Sequence, residues 1–146
     1  MSKNRRVALA LIALLYVIAW LSPLAKGGTT LAKGGLPGWE GLKLALSPLW
    51  DPESRESWWQ ATLAVISGIT NLWFVVAIVW LWRTDAAPRR MIVWTTLLAL
   101  LINAHWMLTF EPLSDLRIGY YLWLLAFAAL AGVAVRQERR PADVVQ

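Results

Sequence analysis

The stretch WWQATLAVISGITNLWFVVAIVWLW, residues 58–82, decides the fold. It contains no Lys, Arg, Asp or Glu. It is longer than the ~20 apolar residues an α-helix needs to cross the hydrocarbon core of a bilayer. Three other runs share its character: Val7–Leu24, Met91–Phe110 and Ile118–Val135. The chain has 146 residues, 58% of them apolar, so one small domain is expected, with more apolar surface than it can bury. The excess has to face lipid. A β-barrel does not fit, because barrel strands alternate apolar and polar residues, and these runs are continuously apolar. The expected fold is all-α: a polytopic membrane protein with four transmembrane helices in an antiparallel bundle, forming a single integral membrane domain over residues 1–146.

Charge orients the helices. The N-terminus, the 83–90 connection and the tail 136–146 hold nine basic residues: Lys3, Arg5, Arg6, Arg83, Arg89, Arg90, Arg136, Arg139 and Arg140. The loops 25–57 and 111–117 hold five: Lys26, Lys33, Lys43, Arg55 and Arg117. The bias places both termini in the cytoplasm and the long loop 25–57 outside. The net charge of +5 is then a topology signal with some attraction to anionic headgroups, not a sign of nucleic-acid binding. Lys3, Arg5 and Arg6 ahead of an apolar core also fit a signal peptide, but Pro23 fits badly at a cleavage site, so a retained first helix is expected.

The sequence has no cysteine and one histidine. Disulfides, thiolate metal sites, thiol redox chemistry and covalent haem attachment are excluded. A catalytic zinc site needs about three protein ligands, often histidines, so no metal and no cofactor is expected.

Eleven tryptophans are present, and only Trp73 falls near the middle of a run. The others suit interfacial anchoring, with the indole N–H facing the headgroup zone. A sharper alternative is an aromatic pocket at the outer leaflet for a lipid, quinone or amphipathic ligand, near Trp20, Trp106 and Trp123. In the long loop, AKGGTTLAKGG (25–35) reads as a connector. After it, Trp39, Leu42, Leu46 and Leu49 recur at helical spacing, with Pro37 and Gly38 to open a helix and Pro48 to end it. A short interfacial helix is expected there. Ser54 or Ser57 is placed to cap the second span, with Glu53 or Glu56 near its N-terminus.

Polar groups inside the spans have to find partners. Ala64, Ser67, Gly68 and Asn71 share one face of the second span, which allows close helix approach. Asn71 and Asn103 lie within about 5 Å in depth at 1.5 Å per residue, so a direct bond between them is expected. Ser67, Asn71 and Asn103 are read as helix-packing groups. His105, in LINAHWMLTF (101–110), is read as a packed residue bonded to Tyr121 or a backbone carbonyl. The competing reading makes it the centre of an outer-leaflet polar or ligand site with Tyr121, Trp20, Trp106 and Glu111.

The proline-bearing exit of the first span (Leu21–Ala25), the PGW of Pro37–Trp39, Asn71 in the second span and GYYLW at Gly119–Trp123 resemble a family of small, uncharacterised bacterial inner-membrane proteins with four spans. The resemblance implies a multi-pass inner-membrane location and carries no activity. The long tryptophan-containing first loop and short second one also give a weaker analogy to the claudin-type plan, without its loop cysteines. The expected function is non-enzymatic: an accessory or oligomeric component that binds membrane lipid, a membrane-protein partner or a second copy of itself. The alternative is a small transporter or lipid-modifying enzyme using the His105 site.

Overall fold

The computed structural model describes residues 3–25, 35–51, 57–84, 90–109 and 115–138. The chain is a polytopic all-α membrane protein. Its four spanning helices are α1 (Lys3–Leu21), α3 (Trp58–Arg83), the stretch Arg90–Leu108 and α6 (Ile118–Glu138). The third is broken at His105 into α4 (Arg90–Ala104) and α5 (Trp106–Thr109). Between the first two spans lie β1 (Pro23–Ala25), β2 (Leu36–Pro37) and the short helix α2 (Gly38–Leu46), which runs into a 3-10 turn at Ser47–Leu49.

The bounds differ from the hydropathy runs for local reasons. α1 takes in the basic residues from Lys3, since charge at a helix end does not stop a helix. It ends at Leu21, because Ser22 precedes Pro23 and the residue before a proline is pushed out of the α region. α3 starts where the hydroxyl of Ser57 accepts from the Gln60 backbone N–H at 3.2 Å. At 26 residues it is about 39 Å long, enough to cross a bilayer with its terminal tryptophans in the headgroup zones. α6 continues three residues past Val135, to Glu138.

α1 packs on α6, α6 on α4, and α4 on α3. α2 packs against both α1 and α3, with Gly38 on Trp20 of α1 and Leu46 on Gly68 of α3. The surface is inverted relative to a water-soluble bundle. Leu11, Leu14, Ile69, Leu72, Val76, Leu98 and Leu101 point outward, while Ser67, Thr70, Asn71, Thr96 and Asn103 are buried. Lipid as solvent explains the pattern, since apolar tails compete for leucine but not for amides. The core around the amides is aromatic. Tyr16 stacks on Phe74 at 4.0 Å and 13°, Phe74 meets Phe127 at 4.9 Å, and Trp123 meets Phe127 edge-on at 5.4 Å. At the end opposite α2, the Arg5 guanidinium donates to the carbonyls of Leu81 and, at 2.8 Å, Thr84, capping the C-terminus of α3 with a cation.

β1 and β2 pair antiparallel, Pro23 opposite Pro37 and Ala25 opposite Leu36. Leu116 adds a bridge to Ala25, and the Arg117 N–H donates to the Leu24 carbonyl at 2.7 Å. This strap ties the exit of α1, the entry of α2 and the entry of α6. Gly119 lies so close beneath it that a Cβ there would sit 2.6 Å from the Pro23 carbonyl oxygen.

Candidate functional site

Helical periodicity puts Ala64, Ser67, Gly68 and Asn71 on one stripe of α3, and that stripe meets the other three spans and α2. Asn71, at mid-span, accepts through Oδ1 from the Tyr16 hydroxyl of α1 at 2.7 Å and from the Trp123 indole N–H of α6 at 2.9 Å. Its Nδ2 donates to the Ser67 and Gly68 carbonyls of its own helix, both at 3.3 Å. Asn103 of α4, fully buried, accepts from the Ser67 hydroxyl at 2.7 Å, and its Nδ2 donates to the Thr70 hydroxyl at 2.9 Å. The Tyr120 hydroxyl of α6 donates to the Asn103 backbone carbonyl at 2.8 Å, and the Trp106 indole donates to the Ser67 hydroxyl at 3.1 Å.

The expected direct Asn71–Asn103 bond is therefore absent. Ser67 stands between them, giving its carbonyl to one amide and its hydroxyl to the other. The amides are near in depth, but their side chains turn to different neighbours. Trp123 and Trp106 also depart from the interfacial pattern, since their N–H groups serve Asn71 and Ser67 inside the bundle. Sequence spacing holds no sign of this, because a tryptophan near a span end looks the same whether it faces headgroups or a buried acceptor. Trp73, read as lying near mid-span, donates to the Thr96 hydroxyl.

His105 occupies the break between α4 and α5. Its Nδ1 lies 2.5 Å from the Ile102 carbonyl, and its ring meets Trp106 at 4.4 Å and 44°. The Tyr120 bond to the Asn103 carbonyl draws on a helical acceptor two residues before the break, and beyond it the Leu108 N–H turns to the His105 carbonyl at 2.8 Å. Tyr121, which is 40% exposed, packs on Tyr120 and shares no bond with His105. Glu111 lies outside the described residues, as do Ser54, Glu53 and Glu56. The four described members of the alternative grouping, His105, Tyr121, Trp20 and Trp106, are thus not drawn into one site.

What the structure does form is a cleft of about 190 Å³ bounded by α1, α2 and α3. α2 roofs it with Leu42, Ala45 and the edge of Gly38; Trp20, Leu24 and Leu116 form walls; Ser67, Asn71, Tyr120 and Trp123 form the floor. From Ala64 to Asn71 the floor descends about 10 Å along α3 at 1.5 Å per residue. Among the described residues, none that lines the cleft is charged. Two residues of the alternative grouping, Trp20 and Trp106, belong to this lining; His105 and Tyr121 do not.

The apolar stripe expected on α2 is divided between the bundle and the outer surface, with Leu42 and Leu46 half-buried. Trp39 and Leu49 are exposed, and Lys43 sits 4.7 Å over the Trp39 ring. α2 docks through Gly38 on α1 and through Leu46 on Gly68 of α3. A Cβ on Gly38 would lie 2.7 Å from Trp20 Cα, and one on Gly68 of α3 would lie 2.7 Å from Leu46 Cδ2. Scoring only the large apolar residues misses the glycine in each contact, because close packing here depends on residues with almost no side chain.

No protein-family model, curated protein or solved structure matches this chain.

Proposed function

We propose that this chain is a non-enzymatic multi-pass protein of the bacterial inner membrane, with both termini cytoplasmic. In this proposal it holds a membrane lipid in the cleft beneath α2 and acts as an accessory component or a homo-oligomer. The observation that carries the proposal is the cleft itself: uncharged, walled by apolar side chains, floored by neutral polar ones, and set at one end of a membrane-spanning bundle. Such pockets suit ligands that are mostly apolar with few polar contacts. The orientation rests on the nine-to-five basic bias, and it puts the cleft in the outer leaflet. A catalytic or transport role centred on His105 draws less support, because that side chain turns to a carbonyl of its own helix and lies off the cleft.

Native mass spectrometry of the full chain, released from a mild detergent, tests the proposal. Phospholipid adducts are expected on the parent and should be lost when Ala45→Phe fills the cleft. Bare protein under the gentlest activation would overturn it.

A further inference from the structure

We infer that the cleft takes the aliphatic tail of a phospholipid, and neither its headgroup nor a quinone ring. The inference rests on the lipid-binding proposal above and names the chemistry of the bound part.

The deciding observation is the state of the hydrogen-bond donors. Six lining residues have a side-chain donor: Trp20, Ser67, Asn71, Trp106, Tyr120 and Trp123. Trp123 donates to Asn71, Trp106 to Ser67, Ser67 to Asn103, and Tyr120 to the Asn103 carbonyl. The Asn71 amide donates to the Ser67 and Gly68 carbonyls. Every side-chain donor on the floor, and Trp106 beside it, therefore already has an acceptor within the protein, and the one further lining donor is the Trp20 indole in the wall.

A quinone carbonyl, a carboxylate or a phosphate placed on this floor would be desolvated with no side-chain donor to receive it, unless it broke the network that joins the spans. Burying such an acceptor unpaired is costly, and a charged one more so, since no cation lines the cleft among the described residues. A methylene chain needs no hydrogen-bond partner on the same floor, and the hydrophobic effect favours its burial only where it leaves water. In a bilayer the gain comes instead from contacts with the walls, chiefly Trp20, Leu24, Leu42 and Leu116. The headgroup stays outside, at the rim where the exposed Arg117 follows Leu116.

Photo-crosslinking of the full chain in vesicles of phosphatidylethanolamine and phosphatidylglycerol tests this. Three probes are compared: a phospholipid with a diazirine near the end of one acyl chain, the same lipid with the diazirine in its headgroup, and a ubiquinone analogue with an azide on its ring. The tail probe should label Ala64, Ser67 or Trp106, and excess unlabelled phospholipid should abolish that labelling without changing the non-saturating labelling of lipid-facing Leu72. Ala45→Phe should remove the cleft label alone, and the competition arm stands even if that variant misfolds. Cleft labelling by the ring azide, or floor labelling by the headgroup probe, would overturn the inference and leave lipid-cleft binding intact. If no probe labels the cleft above the Leu72 level, both the inference and the lipid-binding proposal fall.

Discussion

At Asn71 one amide oxygen receives hydrogen bonds from two other spans, the Tyr16 hydroxyl and the Trp123 indole. Asn71→Leu strands both donors in an apolar core. It should therefore cost about 1–3 kcal/mol in reversible detergent unfolding, the penalty of leaving a buried group unpaired. Tyr16→Phe removes a donor and leaves its acceptor with a second partner, so it should cost closer to the ~0.6 kcal/mol average for such bonds in membranes. Equal losses would count against the shared acceptor. Asn71, Asn103 and Ser67 could be picked out as packing groups because polar residues are rare inside spans. Their partners could not, because which way an amide turns depends on side chains from three helices. His105 has one side-chain bond, to its own helix, so His105→Gln should keep both stability and any lipid retention in native mass spectra. Loss of lipid in a stable His105→Gln protein would return the histidine to the centre of the site.

Among the elements, the glycines sort by what surrounds them. A Cβ at Gly38 meets the Trp20 backbone at 2.7 Å and one at Gly119 meets the Pro23 carbonyl at 2.6 Å, and backbone cannot swing aside. Gly38→Ala and Gly119→Ala should each cost about 1–3 kcal/mol, as overpacking does. At Gly41 the obstacle is the Leu24 methyl at 2.7 Å, which can rotate, so Gly41→Ala should be milder. Gly132 has nothing within 4 Å and lies inside α6, so Gly132→Ala should stabilise by about 0.5–1 kcal/mol. A thermal-shift series over these four variants reads the order directly. An engineered bridge, Ala45→Cys with Gly68→Cys, comes within reach if the Leu46 side chain, 2.7 Å from a Cβ on Gly68, turns aside. The Ala45 Cβ lies 3.6 Å from an ideal Cβ on Gly68, within disulfide range, and the chain has no other cysteine. Oxidation should pin α2 to α3 and slow lipid exchange until reduced; unchanged exchange would mean the roof does not move. Hydropathy found every span, because length and lack of charge are properties of a run by itself. It missed the strap at Pro23–Ala25 and the break at His105, which arise from contacts with residues far along the chain.

For the whole molecule, orientation remains a matter of charge. Reporter fusions after Gly35 and after Val145 should give an outside signal at the first and a cytoplasmic signal at the second; a reversed pair would invert the bundle and move the cleft to the inner leaflet. The clustering of bonds on Asn71 reaches further, into how such a chain can change over generations. Tyr16, Asn71 and Trp123 stand in three spans, yet losing the shared amide leaves orphans, whereas replacing both sides of a hydrogen bond with apolar groups of similar shape can be close to neutral. Descendants of this sequence are expected to keep the trio or to exchange it as a set, with Tyr16→Phe, Asn71→Leu and Trp123→Phe arriving together and combinations that lose the amide alone depleted. A combinatorial library at the three positions, sorted for accumulation in the membrane, would show that trio inherited as one unit.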